Sequence, residues 1–277
     1  MSRESRRALF HAVIPLSILA AACGGGRAPI YTLLPTEAPL RYTDASEGSQ
    51  TIETPAGPQG GEFRTEAAVA LQVGPEAAGG RNFKISYESF GATVPGPAGP
   101  RQVDGAGLAG AEIAGVMGPD GSLALAALPD VSAGSFDAAS LAGLLPDLLA
   151  PLPPDGASER TPWPHRYTLP AGGGLRGEIS YEGEARFAGD TTANGIPLRR
   201  IVSEGRVTVA ASGSPAGAPG EIEMKVEGDA RTVYLWDSAR GVLVSSNAES
   251  TTAGTLSTMG FDLPMTMSME RRIRLVP

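Results

Sequence analysis

The sequence predicts a mainly β protein (α+β). The expected architecture is a long curved antiparallel sheet or half-barrel of about 10–11 strands, with one Leu-rich helix on its concave face. Three observations lead there. Most of the chain after Gly61 alternates apolar and polar residues, the pattern of strands with one dry and one wet face. The 37 Gly and 24 Pro of the 277 residues cluster between those runs, where turns belong. One stretch, from Ser135 to Pro154, carries leucines at helical spacing.

The elements follow in order. In Phe63–Val73 the odd positions Phe63, Ala67, Val69, Leu71 and Val73 are apolar, against Arg64, Glu66 and Gln72. Phe83, Ile85 and Tyr87 alternate with Lys84, Ser86 and Glu88 in the same way. Two apolar runs flank Gly118-Pro119-Asp120-Gly121, where Pro presets a turn and Gly supplies positive φ, so a hairpin is expected there. The helix, residues 136–150, is capped by Ser135 or Asp137 and kinked or restarted at Pro146. Leu141, Leu144, Leu145 and Leu148 form its apolar stripe, which faces either a ligand or the core. The stripe's polar flank has no Lys or Arg, so lying in a membrane interface is disfavoured. An irregular connector with Trp163 and His165 comes next.

The C-terminal half reads as strand after strand. Ile179, Tyr181, Ala185 and Phe187 oppose Glu178, Glu182, Glu184 and Arg186. In Ile222–Leu235 the apolar phase shifts near Gly228, which points to a β-bulge. The last strand places Leu263, Met265, Met267, Met269, Ile273 and Leu275 on one face. Unbranched Met265, Met267 and Met269 adapt to varied apolar partners, so this row is read as a pliable ligand-facing wall or as core.

The N-terminus has a different character. Arg3, Arg6 and Arg7 precede an apolar stretch, Ala8–Leu19, and then the small residues Ala20–Ala22 before Cys23. That is the layout of a secretory signal peptide. "LAAAC" resembles the lipobox of bacterial lipoproteins, with Leu19 one place upstream of its usual position. The resemblance implies cleavage before Cys23 and a covalent diacylglyceryl and acyl lipid on that residue, with no other cofactor. Two or three acyl chains anchor stably where one is marginal. Expected domains are therefore residues 1–22 as signal peptide and 23–61 as lipidated Cys23 with a flexible tether and short edge strands. Residues 62–277 are the β-rich domain, two strand-rich halves joined by helix 136–150. Gly rather than Asp after Cys23 resembles, by enterobacterial sorting rules, an outer-membrane destination facing the periplasm.

The lipoprotein signal, the strand–helix–strand layout and the late Tyr234–Ser245 hairpin together resemble bacterial lipoproteins of unknown function. The Leu-Pro element after Leu148 and Trp163 fit that resemblance, while the Gly-Asp expected before the Trp is missing. The architecture is also similar to half-barrel lipoprotein carriers, which hold acyl chains in a curved sheet. No activity is implied by the first family.

Chemistry is sparse. A lipidated Cys23 is no nucleophile, and the chain then keeps one histidine, His165, too few for a structural zinc site. HExxH, GxSxG and P-loop patterns do not occur. With 5% aromatics and a formal charge of −8, nucleic acid is excluded as a partner. Catalytic and metal residues are accordingly expected to be none. Three functions follow in order: a non-enzymatic lipid-anchored envelope protein binding a hydrophobic ligand or partner segment, a packed structural or surface-interaction lipoprotein, and last a carboxylate-based hydrolase.

Overall fold

The structure, a computed structural model, describes residues 31–77, 79–96, 99–118, 121–153, 160–214 and 220–277. Cys23, the signal peptide and the glycines after Cys23 lie outside the described residues.

In chain order the elements are β1 (Leu40–Thr54), β2 (Gly57–Ala77), β3 (Gly80–Val94), β4 (Arg101–Asp104), β5 (Glu112–Met117), β6 (Leu123–Leu125), β7 (Ser132–Ala133) and β8 (Phe136–Asp137). Then come α1 (Ala138–Ala142), α2 (Leu145–Leu148), β9 (Trp163–Pro170), β10 (Leu175–Ala193), β11 (Ile196–Gly213), β12 (Ile222–Asp237), β13 (Val242–Thr258) and β14 (Phe261–Leu275). β7 and β8 make a small ribbon of their own. All the other strands form one antiparallel sheet with the path β6-β5-β3-β2-β1-β14-β13-β12-β11-β10-β9, β4 pairing with β3 beside it. It is a nearly closed half-barrel, mainly β as expected.

The first strand pairs with the last. Tyr42 lies opposite Leu275, and the register runs unbroken to Ile52 opposite Met265. The two halves are thus two meanders joined along β1 and β14, as well as through the helical segment.

This corrects the expected tether. Leu40–Thr54 is not an edge strand but is paired along both sides, with β2 and with β14. Even earlier, Leu33 is buried in the core and Thr36 donates its N–H to Val73 O at 3.0 Å. The apolar alternation is masked in β1 because its inward positions include Asp44 and Ser46. Both are buried with polar partners: Ser46 Oγ lies 2.6 Å from Thr65 Oγ1, and Asp44 faces Arg271.

The helical segment is shorter than expected and split. Gly143 caps α1 at its C-terminus. Pro146 sits in the first turn of α2, where its missing N–H leaves no hydrogen bond unmade. Residues 136–137 belong to β8 instead. The predicted bulge at Gly228 does not exist: β12 stays in register through Gly228 with both neighbours, and its irregularity falls at Leu235–Trp236. Val233 and Leu235 are simply half-buried outward residues. His165 is also misplaced by the sequence reading. It lies in β9, paired with β10, and is buried rather than in an open connector.

Inward glycines shape the sheet. A Cβ at Gly228 would lie 1.9 Å from Thr251 O, one at Gly254 2.0 Å from Lys225 O, and one at Gly48 2.2 Å from Ser268 O. Only glycine permits backbones this close on the concave side, so the sheet curls sharply there. The apolar side chains divide into two clusters on either side of this band. The larger contains the leucines of the helical segment with Tyr42, Leu71, Ile85, Tyr234, Trp236 and Ile273. The smaller contains Val209, Ala211, Val226 and Met265.

Candidate functional site

The site is the concave face beneath residues 138–152, which plug it. Asp137 starts the plug: its Oδ1 accepts from Ser140 N at 2.8 Å, closing a capping box. Leu141, Leu144, Leu145 and Leu148 then point into the larger core cluster and are all but fully buried.

A segment of two helical turns leaves most of its backbone carbonyls without intrahelical donors. The sheet supplies them. Tyr87 Oη of β3 donates to Leu141 O at 2.7 Å, and Tyr234 Oη of β12 to Pro146 O at 2.9 Å. Ser246 Oγ of β13 donates to Asp147 O at 2.7 Å, and Arg271 Nη1 of β14 to Gly143 O at 2.6 Å. Thr232 Oγ1 adds a 3.3 Å bond to Asp147 Oδ1. Four strands therefore hold one plug by side chain to backbone contacts.

At the centre is a buried ion cluster. Arg271 Nε lies 3.4 Å from Asp44 Oδ1, and Nη1 lies 3.3 Å from Asp147 Oδ2. Asp44 and Asp147 are 7% and 8% exposed. Burial pushes both carboxyls up from the usual carboxylate range, while the guanidinium pulls them down. Two carboxyls share one cation, so their ionisation is linked. Asp44 Oδ1 and Arg271 Nε make no hydrogen bond of their own among the described residues.

The sequence reading missed all three residues, yet two left a signal. Arg271 has the same odd parity as Met265, Met267, Met269 and Ile273 and interrupts that apolar row in phase. Asp147 interrupts the leucine stripe between Pro146 and Leu148. A charge in phase with an apolar face is either exposed by local geometry or paired inside, and here it is paired.

A second polar group lies along β9–β11. Tyr181 Oη, Ser203 Oγ and His165 Nδ1 are linked by hydrogen bonds of 2.7 and 2.8 Å. The rings of Tyr167 and Tyr181 stack at 5.0 Å. Burial pushes the His165 imidazole down to about 4. Ser203 is buried too, so this serine–histidine pair has no open face for a substrate.

The predicted site residues are only partly brought together. Met265 is buried in the smaller cluster, while Met267 and Met269 are half-buried beyond it. The methionine row therefore does not form the wall opposite the leucine stripe. Two depressions on the surface of the described residues bear on the site. One of about 740 Å³ is lined mostly by polar residues, among them Glu47, Glu62, Arg64 and Glu249, together with Phe63 and Met269. The other, about 520 Å³, lies between Leu123 and the β9–β10 pair at Tyr167 and Tyr181. Neither is lined by a plug leucine, nor by Asp44 or Asp147. The raised carboxyls thus lie under the plug and not in a cleft. Among the described residues no cluster of three metal-binding side chains occurs, and no helix is long and apolar enough to cross a membrane.

No protein-family model matches the chain, and no curated protein matches it. Among solved structures it is similar to a domain described as an outer membrane lipoprotein-sorting protein from Vibrio parahaemolyticus. That match has 10% identity over 85% of this chain and 83% of the other, with a TM-score of 0.18. An outer membrane channel from Pseudomonas putida F1 matches at 11% identity over 89% and 98%, with a TM-score of 0.20.

Proposed function

We propose that the chain is a non-enzymatic protein of the bacterial cell envelope, tethered by lipid on Cys23, whose half-barrel receives a hydrophobic ligand or partner segment. One observation carries this reading. The plug is held on the concave face by side-chain bonds to its backbone, outside the strand ladder. It can leave without breaking one strand pairing, and its departure uncovers an apolar concavity lined by residues such as Leu71, Ile85 and Leu243.

A second reading is favoured by the completeness of the packing. Leu145 and Leu148 are fully buried, and neither depression lies between plug and sheet. On that reading the plug is permanent core, and the protein works through its surface as a structural lipoprotein. A carboxylate hydrolase finds no support, because Asp44 and Asp147 bracket Arg271 under the plug.

Mass spectrometry of the chain purified from its native membranes tests both parts at once. The denatured mass is expected to carry the acyl increments on Cys23, and the native mass to include a co-purified apolar ligand. A mass without acyl groups overturns the anchor. A bare native mass with the acyl groups present overturns ligand binding and leaves the structural reading.

A further inference from the structure

The hairpin joining β13 and β14 is built against ordinary turn chemistry. Thr258 and Phe261 close it, leaving a two-residue loop of Met259 and Gly260. Both have positive φ, 48° and 80°. A loop of this kind favours Asn or Gly at its first position, because a bulky side chain is strained in the left-handed region. The same chain obeys that preference elsewhere. The β10–β11 hairpin has Asn194 and Gly195 at φ 51° and 77°, between the closing pair Ala193 and Ile196.

Met259 is also unusual in its exposure. It is 65% exposed and Phe261 is 58% exposed, the two most exposed large apolar side chains among the described residues. The strand ends beneath them are well tied: Ser257 Oγ donates to Asp262 Oδ1 at 2.6 Å. Strain and exposure therefore coincide at one tip: the turn needs the positive φ but not a methionine, and neither exposed side chain serves the core.

We infer that this tip docks into a neutral lipid bilayer, Met259 and Phe261 entering the acyl boundary. A thioether and a phenyl ring on a tight hairpin suit that boundary. The surrounding charge selects the lipid. Glu53, Glu221, Glu223 and Asp262 lie at this end of the sheet, and the nearby Lys225 is already paired with Glu223 at 2.5 Å. An anionic surface repels such an end, whereas a zwitterionic one does not.

Geometry then sets the pose. The chain enters at the opposite end of β1, where Thr36 bonds Val73. The 15 residues of β14 span about 50 Å; Tyr31 packs on Phe187 and Leu33 lies in the core, so the reach from the sheet back to Cys23 is the eight residue steps from Tyr31, about 27 Å when extended. Anchor and tip meet one bilayer when the half-barrel lies along it, giving two points of attachment. This pose rests on the lipid-anchor reading above; contact of the tip with lipid does not.

The test uses the mature lipidated chain in phosphatidylcholine vesicles with Phe261→Trp as reporter. Native Trp163 and Trp236 are buried and give a constant background. The reporter's emission is expected to move to shorter wavelength and to be quenched by lipids brominated on their acyl chains. Adding Met259→Asn, which suits the positive φ and keeps the hairpin, reduces the quenching, and so does anionic lipid. An unquenched reporter at position 261 overturns the inference, as does quenching that Met259→Asn leaves unchanged. A blue shift without lipid, together with a doubled sedimentation mass, assigns the tip to a second copy and overturns it too. A chain that fails to float with vesicles counts against the anchor alone. The tip is then read at excess lipid by the same criterion.

Discussion

Arg271 shows how a single side chain organises the concave face. It reaches Asp44 on one side and Asp147 with Gly143 O on the other, joining the first strand, the last strand and the plug. Removing the cation leaves two buried carboxyls without their counterion. Arg271→Met is therefore expected to cost about 3–5 kcal/mol, read from urea unfolding. Adding Asp44→Asn and Asp147→Asn to it should restore much of that loss; if the triple variant is as unstable as the single one, the cluster is not an electrostatic unit.

The titrating groups pull in opposite directions. His165 is neutral in the fold, held down to about 4, but gains a proton in the unfolded chain below about pH 6.5. Its contribution is complete above that value and is lost as pH falls toward 4, up to about 3 kcal/mol. Asp44 and Asp147 are raised in the fold, so their contribution is present at acid pH and lost as pH rises through their folded values. Unfolding free energies at neutral pH and at pH 4.5 should differ less in His165→Gln than in the unsubstituted chain. Equal differences would remove His165 as the source of the acid limb.

Individual elements show where local sequence decides and where it does not. The alternation of Ile179, Tyr181 and Ala185 is enough to make β10, because charged neighbours solvate one face while these pack on the other. The helical segment is decided from outside. Two turns around Gly143 and Pro146 do not persist in isolation, and four strands supply the missing hydrogen-bond donors. The glycine band is likewise tertiary. Gly228→Ala places a methyl against Thr251 O and should cost about 1–3 kcal/mol or more. Gly91→Ala meets nothing within 4 Å and should change the unfolding midpoint little. Equal effects at the two positions would show that the curl does not depend on close backbone approach.

For the whole molecule, the pairing of β1 with β14 is the longest-range commitment. It brings Tyr42 opposite Leu275 and closes the path between the two meanders. Non-local pairing of this kind folds slowly, in about milliseconds to seconds. Ending the chain at Gly260 removes β14, Arg271 and the inner partner of both β1 and β13. Such a chain is expected to lose its cooperative thermal transition; a sharp melt would mean that each meander folds alone.

The fold class, the C-terminal strands and the position of the helical segment were all legible in the residues, because period, turn chemistry and segment order are local properties. The burial of β1, the strand environment of His165 and the cluster of Asp44, Asp147 and Arg271 were not. Each depends on what lies across the sheet. A charge in phase with an apolar row, as at Arg271 and Asp147, marks a conflict locally but does not name the partner that resolves it. Only the closure of β1 on β14, with the plug seated over both, brings its partner within reach.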